Sequence, residues 1–277
     1  MKITMLLENT VCREDVKCAH GLSMYIETQN HRILFDMGPN AMFLENAETL
    51  GVNVADVDIA VLSHAHDDHS GGLELFCKRN ERARIYLQQE VWGEYYVVTP
   101  SKCAYIGLDK ALKKYADRFT LVSGHTVIDD ELQLFSGGMG REYWSHANDT
   151  LREKVGEDFP RDAFRHEQNL IVTENGISVL FGGCAHNGVV NILRRTEELL
   201  GRAPDAVFAG FHLFNPSLGK AEPRELVDAV AAELKRRENT RYFTGHCTGE
   251  EAFAELKETL GDRLTYMSGG ATFEVCG

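Results

Sequence analysis

Basic residues are scarce in this 277-residue chain, where 29 lysines and arginines face 42 aspartates and glutamates for a net charge of −13. That balance argues against a nucleic-acid backbone as the main partner, because phosphate-backbone binding needs a basic surface. Long apolar runs are absent as well. No stretch approaches the roughly 18 residues that span a bilayer, so no membrane partner is expected. The start, "MKITMLLENT", has one lysine and a short apolar run broken by Glu8 and Asn9, the pattern of a first strand and not of a signal peptide. The seven cysteines are an odd number, scattered, with no CxxC pair, which excludes the disulfide framework of a small secreted domain. A reduced, cytoplasmic protein is the expectation. There is no 20–50-residue repeat, low-complexity tract or obvious linker, so one domain over 1–277 is expected. Apolar content of 43% with 26% charged residues suits a globular chain with a proper core.

Strand-like runs come first, at 3–8, 23–28 and 32–38, each bounded by turn signals. Ala41, Phe43, Leu44, Ala47 and Leu50 then follow a helical spacing that Gly51 ends. "VDIAVLS" (57–63) is nearly continuous in apolar residues, as expected of a strand buried on both faces. Further on, "ARIYLQ" (83–88) reads as a strand and "DKALKKYADRF" as a helix. Residues 136–168 have no clear period; a stretch that long inside a compact domain is often a lid or binding loop. The later half alternates: a hairpin at 169–183, a helix at 188–201, a strand at 204–211, a helix at 222–238, a strand at 241–246 and a helix at 248–261. Thr248 and Glu251 have capping-box spacing at the start of the last helix.

The strand at 57–63 runs into "SHAHDDHSGG", with three histidines and two aspartates in positions 64–69. Where a strand frays into a loop, positions two apart still project to one side, so His64 and His66 can converge on one metal ion. Asp68 and His69 follow the turn and can face a second point nearby. Neutral imidazoles and carboxylates are good ligands for zinc, iron or manganese. Gly71 and Gly72 would let the backbone bend tightly and leave the metals open.

"SHAHDDHSGG" resembles the HxHxDHxGG signature of the metallo-β-lactamase fold superfamily. The blocks 20–40 and 46–73 resemble one branch of it, the dihydropterin-ribofuranosylaminobenzene-5′-phosphate synthase-like enzymes. "GGCAHNGVVNI" (182–192), "AGFHLF" (209–214) and "TGHCTG" (244–249) are similar to that branch's later motifs, in the same order. The resemblance implies an α/β fold, an αββα sandwich with two β-sheets face to face and helices outside, and a dinuclear metal centre at one edge. A two-metal site needs more donors than the first cluster supplies, and His186 and His246 each follow an apolar run and match histidines of the similar family. The expected ligands are His64, His66 and His186 for one metal, and Asp68, His69 and His246 for the other. Many superfamily members carry a bridging aspartate in a "GD" pair; here the similar strand ends "FGGC", which puts Cys184 in that region, either as a thiolate ligand or as a buried inert cysteine. His212 is expected as a ligand or a hydrogen-bond donor to substrate. Asp36 matches the fold's early aspartate and is expected to organise the site through hydrogen bonds. For Asn187 the plain role is a helix N-cap.

Two divalent ions, zinc first with manganese or iron as alternatives, can lower the pKa of a shared water toward about 7. The expectation is a metallohydrolase that turns a metal-bound hydroxide on a small, anionic phosphate ester or lactone, with Asp68 as both ligand and proton acceptor and His212 as its catalytic companion. Two alternatives remain open. One is a transferase that condenses a pterin pyrophosphate with an aminobenzene ribofuranosyl phosphate. The other is a di-iron redox protein, disfavoured because 277 residues leave no room for an appended flavin domain. Arg141, Tyr143, Trp144, Arg161 and Arg165 in the 136–168 stretch either bind an anionic ring-bearing substrate or pair with neighbouring carboxylates.

Overall fold

The alternation of apolar residues along each strand decides the layering of the molecule. In the computed structural model, which describes residues 1–137 and 140–276, one sheet runs β19 (Thr272–Glu274), β1 (Lys2–Leu7), β2 (Ser23–Glu27), β3 (Arg32–Phe35), β4 (Ile59–Val61), β5 (Arg84–Gln88) and β8 (Phe119–Val122). The other runs β18 (Leu264–Tyr266), β17 (Arg241–Thr244), β14 (Ala206–Phe208), β13 (Ile177–Phe181), β12 (Asn169–Glu174), β10 (Leu132–Phe135) and β9 (His125–Val127). Ile33 and Phe35 of β3, Ile59 and Val61 of β4, and Val179 and Phe181 of β13 point into a common core between the sheets. The intervening Leu34 and Ala60 face a second core shared with Phe43 and Phe76, which belong to helices α1 (Met42–Thr49) and α3 (Leu73–Arg79). Leu180 and Val207 face a third, closed by α4 (Val189–Leu200), α5 (Arg224–Lys235) and α6 (Glu250–Leu260). Both faces of the central strands are therefore apolar, as burial on both sides demands, and the layers are helix, sheet, sheet, helix.

The helices follow from their spacing. Val227, Val230, Ala231 and Leu234 form one buried stripe of α5, the i, i+3, i+4, i+7 pattern that turns one side of a helix toward a core. α4 stops at Gly201, whose left-handed φ of 71° takes the C-cap. The cap expected from Thr248 is absent: the N-cap of α6 is Gly249, and Thr248 Oγ1 instead accepts from the backbone N–H of Phe211.

Each sheet changes character midway. β1, β2 and β3 pair antiparallel, then β3, β4, β5 and β8 pair parallel. The second sheet repeats this, antiparallel from β9 to β13 and parallel from β13 through β14 and β17 to β18. The carboxyl ends of parallel strands are where α/β folds place their ligands. Asp36 follows β3, His64 follows β4, Cys184 and His186 follow β13, His212 follows β14, and His246 follows β17.

Two stretches depart from the sequence expectations. Residues Lys110–Arg118 are 3-10 turns broken at Tyr115, not an α-helix. The 136–168 stretch is not structureless: it holds a 3-10 turn at His146–Thr150 and strand β11 (Leu151–Glu153), although Gly138 and Met139 lie outside the described residues. β11 joins β6 (Tyr95–Thr99) and β7 (Lys102–Tyr105) in a third, small sheet. Elements of three to five residues are too short for periodicity to reveal. A hairpin of β15 (Phe214–Asn215) and β16 (Lys220–Ala221) follows the His212 loop, and one helical turn, α2 (Asp67–Ser70), carries the end of the histidine cluster.

Candidate metal centre

Three loops bring the six expected ligands together. The rings of His64 and His66 lie 4.6 Å apart, those of His64 and His186 4.9 Å, and those of His69 and His246 5.0 Å. His64, His66, His69, His186 and His246 are all buried. Ligand-capable atoms cluster within 4.8 Å of one another in several groups, among them Asp68, His69, Cys184 and His246, then His64, Cys184 and His186, then His64, His66 and Asp68.

The hydrogen bonds around the rings decide which nitrogen faces inward. Asp36 accepts from the backbone N–H of Ser63 at 2.7 Å and from Ser63 Oγ at 2.7 Å. Ser63 Oγ, having donated its proton to Asp36, accepts from His64 Nδ1 at 2.8 Å. Asp36 also takes the Nδ1 proton of His69 at 2.7 Å. His246 Nδ1 donates to Asn9 Oδ1 at 2.8 Å, and His186 Nδ1 donates to Asn148 Oδ1 at 3.0 Å. The Asn148 amide is oriented by its own donation to the His186 carbonyl at 3.0 Å. With Nδ1 protonated in each ring, Nε2 carries a lone pair. Nε2 of His64, His66 and His186 is buried without a partner.

In the second group the acceptors crowd one another. His69 Nε2 lies 3.2 Å from His246 Nε2 and 3.2 Å from Cys184 Sγ, and Asp68 Oδ2 lies 3.5 Å and 3.2 Å from the two nitrogens. Donors about 2.0–2.3 Å from a tetrahedral metal stand roughly 3.3–3.7 Å apart, and these spacings of 3.2–3.5 Å lie at the tight end of that range. Buried lone pairs this close repel unless a cation or proton sits among them. Burial opposes charge on His69, but Asp68 and Asp36 outweigh it and push its pKa up to about 9. Burial, then the neighbouring His69, holds His64 well below the usual imidazole range, and burial, then His166, brings His66 down to about 3. The residues thus fit divalent ions that prefer imidazole, carboxylate and thiolate.

The backbone is strained where these side chains are aimed. Asp36, Ala185, His212 and His246 have φ of 59°, 50°, 49° and 51°, a conformation costing about 1–3 kcal/mol for such residues and concentrated at functional sites. Gly71 and Gly72 serve another purpose than the one expected. Their φ values of −61° and −83° are ordinary, but a Cβ at either would stand 2.2 Å from a backbone carbonyl, of Pro39 and Met37 respectively. They let α2 pack against the 37–39 segment.

Other expected residues have other surroundings. His212 lines the site with both ring nitrogens buried and unpartnered, and its ring lies 4.2 Å from that of His186. Asn187 is not an N-cap, since Gly188 takes that position without a side-chain bond. Its amide instead donates to buried Glu167 at 2.7 Å, and Glu167 also accepts from the backbone N–H groups of His186 and Asn187 at 2.6 and 3.0 Å. Glu167, Asn148 and Asn9 hold the ligand loops, and no local motif marks them in the sequence. His20, whose Nε2 is 3.3 Å from Asp68 Oδ2, is another.

The site opens into a cavity of about 310 Å³. Histidines and Asp68 line it; Val97 and Leu151 of the third sheet, with Ile106 just after β7, make an apolar wall, and Asn215 and Ser217 line it from the β15–β16 hairpin. Its one lysine or arginine among the described residues is Lys102. The arginines of the 136–168 stretch pair locally instead: Arg161 with Asp149 at 3.2 Å, Arg165 with Glu153 at 2.9 Å, and Arg141 over the Trp144 ring at 4.6 Å. Tyr143 donates to Glu233.

The model of the metallo-beta-lactamase superfamily matches residues 16–147. The chain is 30% identical over 269 residues to the 7,8-dihydropterin-6-methyl-4-(beta-D-ribofuranosyl)-aminobenzene-5'-phosphate synthase of Methanocaldococcus jannaschii, covering 91% of this chain and 88% of that protein. A solved metal-dependent hydrolase of the beta-lactamase superfamily superposes with a TM-score of 0.82 at 23% identity over the whole of both chains. A diphosphatase from the PhnP family superposes at 0.55 and 15% identity, covering 98% of this chain and 96% of that one.

Proposed function

The chain belongs to the metallo-beta-lactamase superfamily, and from that premise we propose that it is a dinuclear metal-dependent hydrolase of a small anionic substrate, a phosphate ester or a lactone. The observation that carries this reading is the convergence of ligand atoms: imidazole Nε2 atoms, oriented by bonds at Nδ1, meet Asp68 at distances close to those within a coordination shell. His64, His66 and His186 would hold one ion, and Asp68, His69 and His246 the other. Zinc suits this donor set best, with iron or manganese as alternatives. Bound divalent ions supply Lewis acidity and bring the pKa of a coordinated water from 15.7 toward about 7.

The chain's own residues supply the rest. Asp68, flanked by His20, is placed to accept a proton at Oδ2. His212, with two free ring nitrogens at the cavity, is placed to donate a hydrogen bond to a substrate oxygen. Lys102 offers the cavity a cation for an anionic end, while Val97, Ile106 and Leu151 exclude water from an apolar portion.

A second reading, a transferase joining a pterin pyrophosphate to an aminobenzene ribofuranosyl phosphate, is favoured by the 30% identity to the synthase. Both predict a metal-loaded protein. Elemental analysis of protein purified without added metal, followed by phosphodiester and lactone panels with and without chelator, separates them. Chelator-sensitive hydrolysis supports the hydrolase. Turnover only when both condensation partners are present supports the transferase, and a folded protein that takes up no transition metal refutes both.

A further inference from the structure

Resting on the dinuclear reading above, we propose that Cys184 is a metal ligand shared by both ions, a thiolate bridge between the two histidine sets. Its sulfur groups with His64 and His186 on one side, with Asp68, His69 and His246 on the other, and with His212 and the cavity-lining Cys247 in a third set. It is buried, 3.2 Å from His69 Nε2, at the coordination-shell spacing of the second group. Asp68 also approaches His64 and His66, but its Oδ2 is drawn to His20, His69 and His246 at 3.2–3.5 Å. Among the described residues no other carboxylate joins His64 to His69 or His246.

The local backbone is built for this approach. Gly183, one residue earlier, stands where a Cβ would lie 2.2 Å from Ser63 Oγ and 3.0 Å from His64 Nδ1. Only a glycine lets the β13 loop come this close to the β4 loop, and the closeness brings Sγ to the His64 side. Ala185, next in the chain, has a φ of 50°, and this turn separates Cys184 from His186 so that both face the centre.

Binding is balanced simply: the Sγ–H bond breaks, the proton leaves to water, and the sulfur lone pairs form the metal bonds. A thiolate is a soft donor, so it favours zinc or iron over manganese or magnesium. The plainer alternative is a buried neutral thiol in hydrogen-bond contact with His69 Nε2.

The test uses the full-length protein loaded with cobalt(II), with metal content measured alongside. Wild type should bind two cobalt ions and show a near-ultraviolet sulfur-to-cobalt charge-transfer band. Cys184→Ser should lose the band, and Cys184→Asp should keep two ions without it. Cys247→Ser should retain the band. A two-cobalt wild type with no such band overturns the proposal whether or not the variants fold. So does a band that survives in Cys184→Ser or vanishes only in Cys247→Ser. A wild type that binds no cobalt at all instead refutes the metal centre itself, and the bridge with it.

Discussion

Asp36→Asn isolates the role of a carboxylate that touches no expected metal position yet orients rings on both sides of the centre. One oxygen accepts from the Ser63 N–H, and the other from Ser63 Oγ and His69 Nδ1, all at 2.7 Å. An amide has a single acceptor oxygen. Its better orientation keeps that oxygen toward Ser63 Oγ and His69 and turns the NH2 against the Ser63 N–H. Two buried donor groups, the Ser63 N–H and the amide NH2, are then unsatisfied, at about 1–3 kcal/mol each, and two bonds lose their charge assistance, at about 1 kcal/mol each. The sum is about 4–8 kcal/mol of stability. Asparagine tolerates the left-handed φ of 59° at this position, so the backbone adds no separate cost. Removing a partner behind a metal-binding histidine typically weakens metal affinity by about 10–100-fold. Urea unfolding of the metal-free protein and zinc titration against a competing chromophoric chelator measure the two effects. A folded Asp36→Asn protein that unfolds like wild type and binds zinc within about twofold of it would refute the orienting role.

Three further outcomes are expected. In metal-free protein, His69 holds its proton up to a pKa of about 9 against an ordinary 6.5; its contribution is complete below pH 6.5 and lost as pH rises to about 9. The unfolding free energy from urea titrations should therefore fall across that window, by on the order of 3 kcal/mol, and saturating zinc should abolish the slope; a flat metal-free profile contradicts the His69 assignment. Gly183→Ala forces a Cβ to within 2.2 Å of Ser63 Oγ, so it should cost about 1–3 kcal/mol and deplete metal from the His64 side, as read by unfolding and by metal-to-protein ratio. Lys102→Met should raise KM for an anionic substrate by about 3–5-fold, the size of a partly exposed charge contact, with kcat and the KM of a neutral lactone unchanged. An equal effect on both substrates would point to general damage to the cavity.

The strand leading into His64 was legible because an unbroken apolar run has few readings, and His64, His66, Asp68 and His69 because four donor types stand within six positions. His186 and His246 were legible only as histidines following apolar runs within motifs. The arginines of 136–168 were equally compatible with a substrate site and with local pairing, since composition says nothing about partners. The fold turned them toward Asp149, Glu153 and Trp144 and gave the cavity Lys102, from a strand too short to recognise.

By itself, then, the amino-acid order determined an α/β chain with a metal-type donor cluster at a strand end, because periodicity and close spacing are local properties. Tertiary structure alone decided that Asn9, Asn148 and Glu167 orient the rings and loops, which partners Asp36 takes, and that Cys184 falls between the two sets. Those relations join residues as much as 237 positions apart, and only the packing of two sheets, which aligns the ends of their parallel strands along one edge, brings such partners within hydrogen-bond reach.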